Sequence, residues 1–83
     1  MNQYNPSSVS PPGDTIQDLL DEKGMKPLHL ALKMGRPLTS VYDLIDGKLP
    51  IDEVMAHELE EILGGTSAFW IAREANYRKA LRP

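Results

Sequence analysis

The chain contains no cysteine, which excludes a disulfide framework, a thiolate nucleophile and a cysteine-ligated zinc knuckle. Histidine is almost as scarce. His29 and His57 are the two present, and the sequence around His57, His-Glu-Leu-Glu-Glu, lacks the second histidine of an HExxH zinc helix. No apolar run approaches the roughly 18 residues that cross a bilayer. Met1 to Ser10 has none of the charged-then-apolar pattern of a secretory signal, so a cytoplasmic protein without a membrane segment is expected. Positive charge is also short: 9 Lys and Arg against 12 Asp and Glu give a formal net charge of −3. Affinity for duplex nucleic acid rests largely on cations set against phosphates. Any such role must therefore come from where the cations lie rather than from their sum. Neither a strand-period segment of useful length nor an internal repeat is present, and the expected fold is all-α.

What is there fits one small domain: 83 residues, 41% of them apolar, enough for a modest core. Residues 1–10, rich in Ser and Pro without periodicity, read as a flexible arm. It carries no arginine, unlike arms that enter a minor groove. Residues 11–83 read as the helical domain.

That domain is organised around Lys26 to Lys48, KPLHLALKMGRPLTSVYDLIDGK. Leu30, Ala31 and Met34 recur at helical spacing, Gly35 frees the backbone for a reversal, and Pro37 restarts a helix. Val41, Leu44 and Ile45 then repeat the spacing before Gly47. A small Ala31 at a close helix contact, Gly35 at the reversal and Val41 as the anchor of the second helix match a helix-turn-helix. An αα-hairpin of an unrelated helical domain satisfies the same pattern.

Pro11 and Pro12 lead into a first helix over about residues 14–23, with Ile16, Leu19 and Leu20 inward. Asp14 and Asp18 suit its positive end and Gly24 its exit. Asp14, Asp18, Asp21 and Glu22 alternate with the apolar stripe, the pattern of a solvated face rather than of carboxylates converging in a cleft. Asp52 is placed to cap a further helix to Leu63, with Val54 or Met55, Ala56, Leu59, Ile62 and Leu63 apolar. His57 and Glu61 share a helix face there and are expected to form a surface pair. The last helix, about residues 67–81 and capped by Thr66 or Ser67, carries Phe69, Trp70, Tyr77 and Leu81. Phe69 and Trp70 are expected to plug the core. Arg73, Arg78, Lys79 and Arg82 gather positive charge along it. With no nucleophile–base pair, phosphate loop or metal cluster, an enzyme is not expected, and no cofactor is implied.

With these elements in place, the chain resembles the HigA (VapI, addiction-module antidote) antitoxins, a branch of the Xre-type helix-turn-helix proteins. The resemblance runs from Pro11 to Leu81. It is carried by Pro12-Gly13-Asp14, Gly24 to Pro27, Gly35-Arg36-Pro37-Leu38, Ile45-Asp46-Gly47-Lys48, Ala68-Phe69-Trp70 and Glu74-Ala75-Asn76-Tyr77-Arg78. It implies a five-helix lambda-repressor-like (Xre) domain and a homodimer that binds an inverted-repeat operator in double-stranded DNA and represses its own operon. It also implies a cognate partner, a RelE/HigB-like ribonuclease toxin. The recognition helix it implies is about Pro37 to Asp46.

On that helix Leu38, Thr39, Tyr42 and Asp43 are expected to face outward. Thr39 and Tyr42 would read base edges, and Leu38 would touch a thymine methyl. Arg36, Ser40 and Lys48 would hold phosphates, with Lys26 and Lys33 behind them. This sequence departs from the family where Thr39 replaces a frequent Lys and Tyr42 a frequent Asn. Leu28 and Leu32 stand where polar residues near DNA are usual, and Asp43 and Asp46 add negative charge. An exposed patch of Leu28, Leu32 and Leu38 would instead mark a protein interface. The alternative is therefore a HigA-like protein-binding module with weakened or lost operator binding. The dimer contact has two candidate surfaces, the last helix and this patch.

Overall fold

Five helices follow one another in the computed structural model, which describes residues 10–81: α1 (Pro12–Lys23), α2 (Pro27–Met34), α3 (Leu38–Ile45), α4 (Glu53–Leu63) and α5 (Ser67–Leu81). Among the described residues there is no strand, and no helix is long and apolar enough to cross a membrane. The fold class is all-α, as expected. The arm read over residues 1–10 falls outside the described residues except for Ser10, and Arg82 lies outside them too.

The apolar spacings place the core. Ile16 and Leu20 of α1, Leu30, Ala31 and Met34 of α2, and Val41 and Leu44 of α3 are buried together. Ile51, Met55, Ala56, Leu59, Leu63 and Trp70 complete the cluster. Leu19 and Ile62, expected inside, are partly buried against it. At α4 the ambiguity resolves towards Met55, 2% exposed, whereas Val54 is 61% exposed. Asp52 caps this helix as its position implies, accepting from the Met55 amide at 2.8 Å. The Thr66 hydroxyl accepts from the Phe69 amide at 3.0 Å and caps α5. α1 begins two residues earlier than its charge pattern marks, at Pro12, because the early proline supplies the helical φ and has no amide to leave unpaired.

Phe69 departs from expectation. It is 40% exposed and meets Trp70 edge-on, centroids 5.1 Å apart, rather than joining it inside. Trp70 fills the core from α5, fully buried, with its indole N–H donating to the Gly64 carbonyl at 3.0 Å and Ile71 partly buried beside the cluster. Ile51 lies outside every helix yet is buried, pinning the α3–α4 connection to the core.

Candidate nucleic-acid interface

α2 and α3 are short, 8 residues each, and helices of that length are not stable alone. Their faces are therefore set by packing. Leu30, Ala31 and Met34 turn one side of α2 inward, and Val41 and Leu44 do the same for α3. Gly35 makes the reversal with φ of 69°, and the Arg36 amide returns to the Ala31 carbonyl at 3.0 Å to close α2. At the start of α2 the Lys26 amide donates to His29 Nδ1 at 3.0 Å. His29 thus serves as a local helix cap.

With Val41 and Leu44 inward, Thr39, Tyr42 and Asp43 point to solvent, Tyr42 being half exposed. Ser40 is partly buried. Leu38 does not face outward as expected; it is partly buried and packs on the core cluster, because it lies three residues before Val41 and shares its inward side. The exposed apolar pair is therefore Leu28 and Leu32 of α2, 51% and 71% exposed and four residues apart.

The cations divide into two sets. Lys26, Lys33 and Lys48 are exposed and belong to no ion pair among the described residues. Arg36 is different: its Nε donates to Glu58 Oε1 of α4 at 3.2 Å, both side chains 29% exposed. An arginine expected to hold phosphate is here tied across to α4. Arg73 and Arg78 of α5, read from the sequence as gathered surface charge, are also spoken for. Arg73 Nη2 donates to the Pro11 carbonyl at 3.1 Å and to the Thr15 hydroxyl at 3.0 Å. Arg78 donates from Nε to Glu74 Oε2 and from Nη2 to the Gly47 carbonyl at 2.8 Å.

The sequence places Glu74 in the motif that carries the resemblance but does not show the grip it completes. Glu74 is the buried charged residue of the described chain, 8% exposed, and its Oε1 accepts from the Ile51 amide at 3.2 Å. The available signal was its i, i+4 spacing to Arg78 on α5. Two glycines let the chain close around α3. A Cβ on Gly13 would stand 1.9 Å from the Ile45 carbonyl oxygen, so α1 touches the end of α3 backbone to backbone. Gly47, at φ 79°, lies under Tyr77, whose hydroxyl would be 2.9 Å from an added Cβ.

The expected His57–Glu61 pair is not formed. His57 Nδ1 lies 3.9 Å from Glu60 Oε1 instead, both side chains largely exposed, so the contact is a weak surface one. An open pocket of about 240 Å³ between α4 and α5 is lined by Glu53, Ala56, His57, Ser67, Ala68 and Ile71, none of them on α2 or α3. No family model and no curated protein matches this chain.

Proposed function

We propose that the chain is a sequence-specific DNA-binding antitoxin of the HigA type, a five-helix Xre-like helix-turn-helix domain. In this reading it binds duplex DNA as a homodimer, represses its own operon and captures a RelE/HigB-like ribonuclease toxin. The observation that carries the reading is the outer face of α3. Thr39, Tyr42 and Asp43 stand on a short helix whose other side packs on α1 and α2, with Val41 and Leu44 buried. A helix so mounted enters a major groove with its outer side chains at the base edges, while flanking cations take the phosphates. Lys26 before α2, Lys33 in its last turn and Lys48 after α3 are the exposed cations at the ends of this unit. Thr39 and Tyr42 read bases, directly or through water. Asp43 accepts from a base amino group or repels the wrong step.

The test is a mobility shift with the DNA upstream of the chain's own gene. A fragment holding an inverted repeat should be retained at low salt and released steeply as salt rises. Half-sites should lie about 34–36 Å apart, one helical turn. Co-purification with the product of the neighbouring reading frame tests the toxin partner.

One observation favours a second reading. Leu28 and Leu32 form an exposed apolar pair on α2, and with Arg36 held by Glu58 this side has lost one expected phosphate contact. A HigA-like module that acts through protein contact alone would have this surface. No shift of any upstream fragment at low salt, together with loss of partner binding in Leu28→Asp, selects that reading.

A further inference from the structure

The second half of α5 is held to the rest of the molecule mainly by polar groups. Trp70 and Glu74 are its buried residues. Beyond Trp70, Arg73 reaches α1, Glu74 takes the Ile51 amide, and Arg78 takes the Gly47 carbonyl. Gly47 and Ile51 stand on either side of Lys48. The Glu74–Arg78 pair thus grips the connection after α3 at both ends of the segment that carries that lysine. Between the two grips, the Lys48 and Leu49 amides both return to the Asp43 carbonyl, at 2.8 and 3.2 Å. This ties the segment to the last turn of α3.

A partly buried ion pair of this kind is a poor source of net stability, because desolvating two charges offsets much of their attraction; its better-attested product is a fixed geometry. Arginine suits that task. Its planar fork satisfies a carboxylate and a carbonyl at once, which a lysine ammonium on a flexible stem does not reproduce. The two charges also cancel, so the pair adds no net charge to the surface it holds.

We propose that Glu74 and Arg78 are positioning residues for the DNA contact. They lock the exit of α3 so that Lys48 meets a phosphate while Thr39 and Tyr42 face the base edges. This rests on the DNA-binding reading above. The grip acts through the backbone of 47–51, and neither side chain touches the duplex.

The experiment compares the full chain with Arg78→Lys and Glu74→Gln by native-state hydrogen exchange and by the salt dependence of DNA binding. In Arg78→Lys the Lys48 and Leu49 amides should exchange about tenfold faster, the effect of losing one charge-assisted bond. The Leu59 and Leu63 amides of α4 should keep their rates. The slope of log K against log salt should fall by about 0.9, one phosphate contact. Lys48→Ala should remove about the same from the wild type and little more from Arg78→Lys. A merely structural pair would not produce that non-additivity. Should Arg78→Lys fail to fold, Glu74→Gln, which keeps an acceptor for the Ile51 amide, is read by the same two measurements. Unchanged exchange at Lys48 and Leu49 overturns the inference, as does an additive Lys48→Ala effect. A wild type that binds no duplex removes the proposed function and this inference together. A wild type that binds, with Arg78→Lys equal to it, removes the inference alone.

Discussion

Arg36 and Lys48 both flank α3, yet they should contribute unequally to DNA binding, because Arg36 already has a partner. Its Nε is 3.2 Å from Glu58 Oε1, and each side chain is 29% exposed. A pair this accessible is worth at most about 0.5–1 kcal/mol to the fold, so breaking it barely changes stability. Its effect on the proposed duplex contact is read separately, in the salt slope. Each phosphate contact adds about 0.9 to the salt slope, so between 50 and 200 mM salt one contact changes affinity about 3.5-fold. Lys48→Ala should therefore lower the slope by about 0.9. Arg36→Ala should lower it by far less, since the free protein holds that charge against Glu58. Glu58→Gln keeps an acceptor but removes the charge, taking the formal net charge from −3 to −2 (−3 + 1). It should release Arg36 and raise the slope by about 0.9. Fluorescence anisotropy with a labelled upstream fragment over five salt concentrations measures all three. If Arg36→Ala costs as much slope as Lys48→Ala while Glu58→Gln changes nothing, Arg36 leaves Glu58 for a phosphate in the complex, and the ion pair does not limit its contribution.

Trp70→Ala removes the largest fully buried side chain; it should cost about 3–5 kcal/mol, close to the whole stability of a small domain, seen as loss of the cooperative urea transition. Trp70→Phe should cost far less, mainly the bond to the Gly64 carbonyl, about 1 kcal/mol. Gly13→Ala drives a methyl into the Ile45 backbone and should cost about 3 kcal/mol or more by thermal melting. Gly24→Ala meets open space at φ 67° and should cost only about 1–2 kcal/mol. Thr39→Ala and Tyr42→Ala should leave stability within about 0.5 kcal/mol. Each should flatten discrimination at one operator position by about 1–3 kcal/mol in a mutant-site competition; unchanged discrimination in both would place base reading elsewhere.

The parts of the fold legible in the sequence are those written in local periodicity and caps. Leu30, Ala31 and Met34, then Val41 and Leu44, mark which sides of α2 and α3 turn inward, and Asp52 and the Thr66-Ser67 pair mark helix starts. What was not legible depends on partners far along the chain. Arg36 and Glu58 are 22 residues apart, Glu74 and Ile51 are 23 apart, and Arg73 and Pro11 are 62 apart. A cation read locally is a free charge, and only the folded chain supplies its acceptor. Leu38 and Phe69 differ from expectation for a related reason. Both stand at edges of an apolar stripe, where a rotation of a few tens of degrees about the helix axis exchanges inside and outside.

The residues that carry the resemblance and those that would carry DNA specificity are largely different residues. Gly13 lies against the end of α3, and Gly47, Tyr77, Arg78 and Glu74 close around its exit. Trp70 fills the core beneath. All of them act from behind. Thr39, Tyr42 and Asp43 point away from this mount and are held by no side-chain bond among the described residues. Packing demands nothing of their identity. A rigid mount with an uncommitted outer face lets base preference change without a change of fold. It follows that grafting Lys at position 39 and Asn at position 42 should leave the melting temperature within a few degrees. The graft should redirect which operator is bound, because the geometry that presents those two side chains is set by residues the graft does not touch.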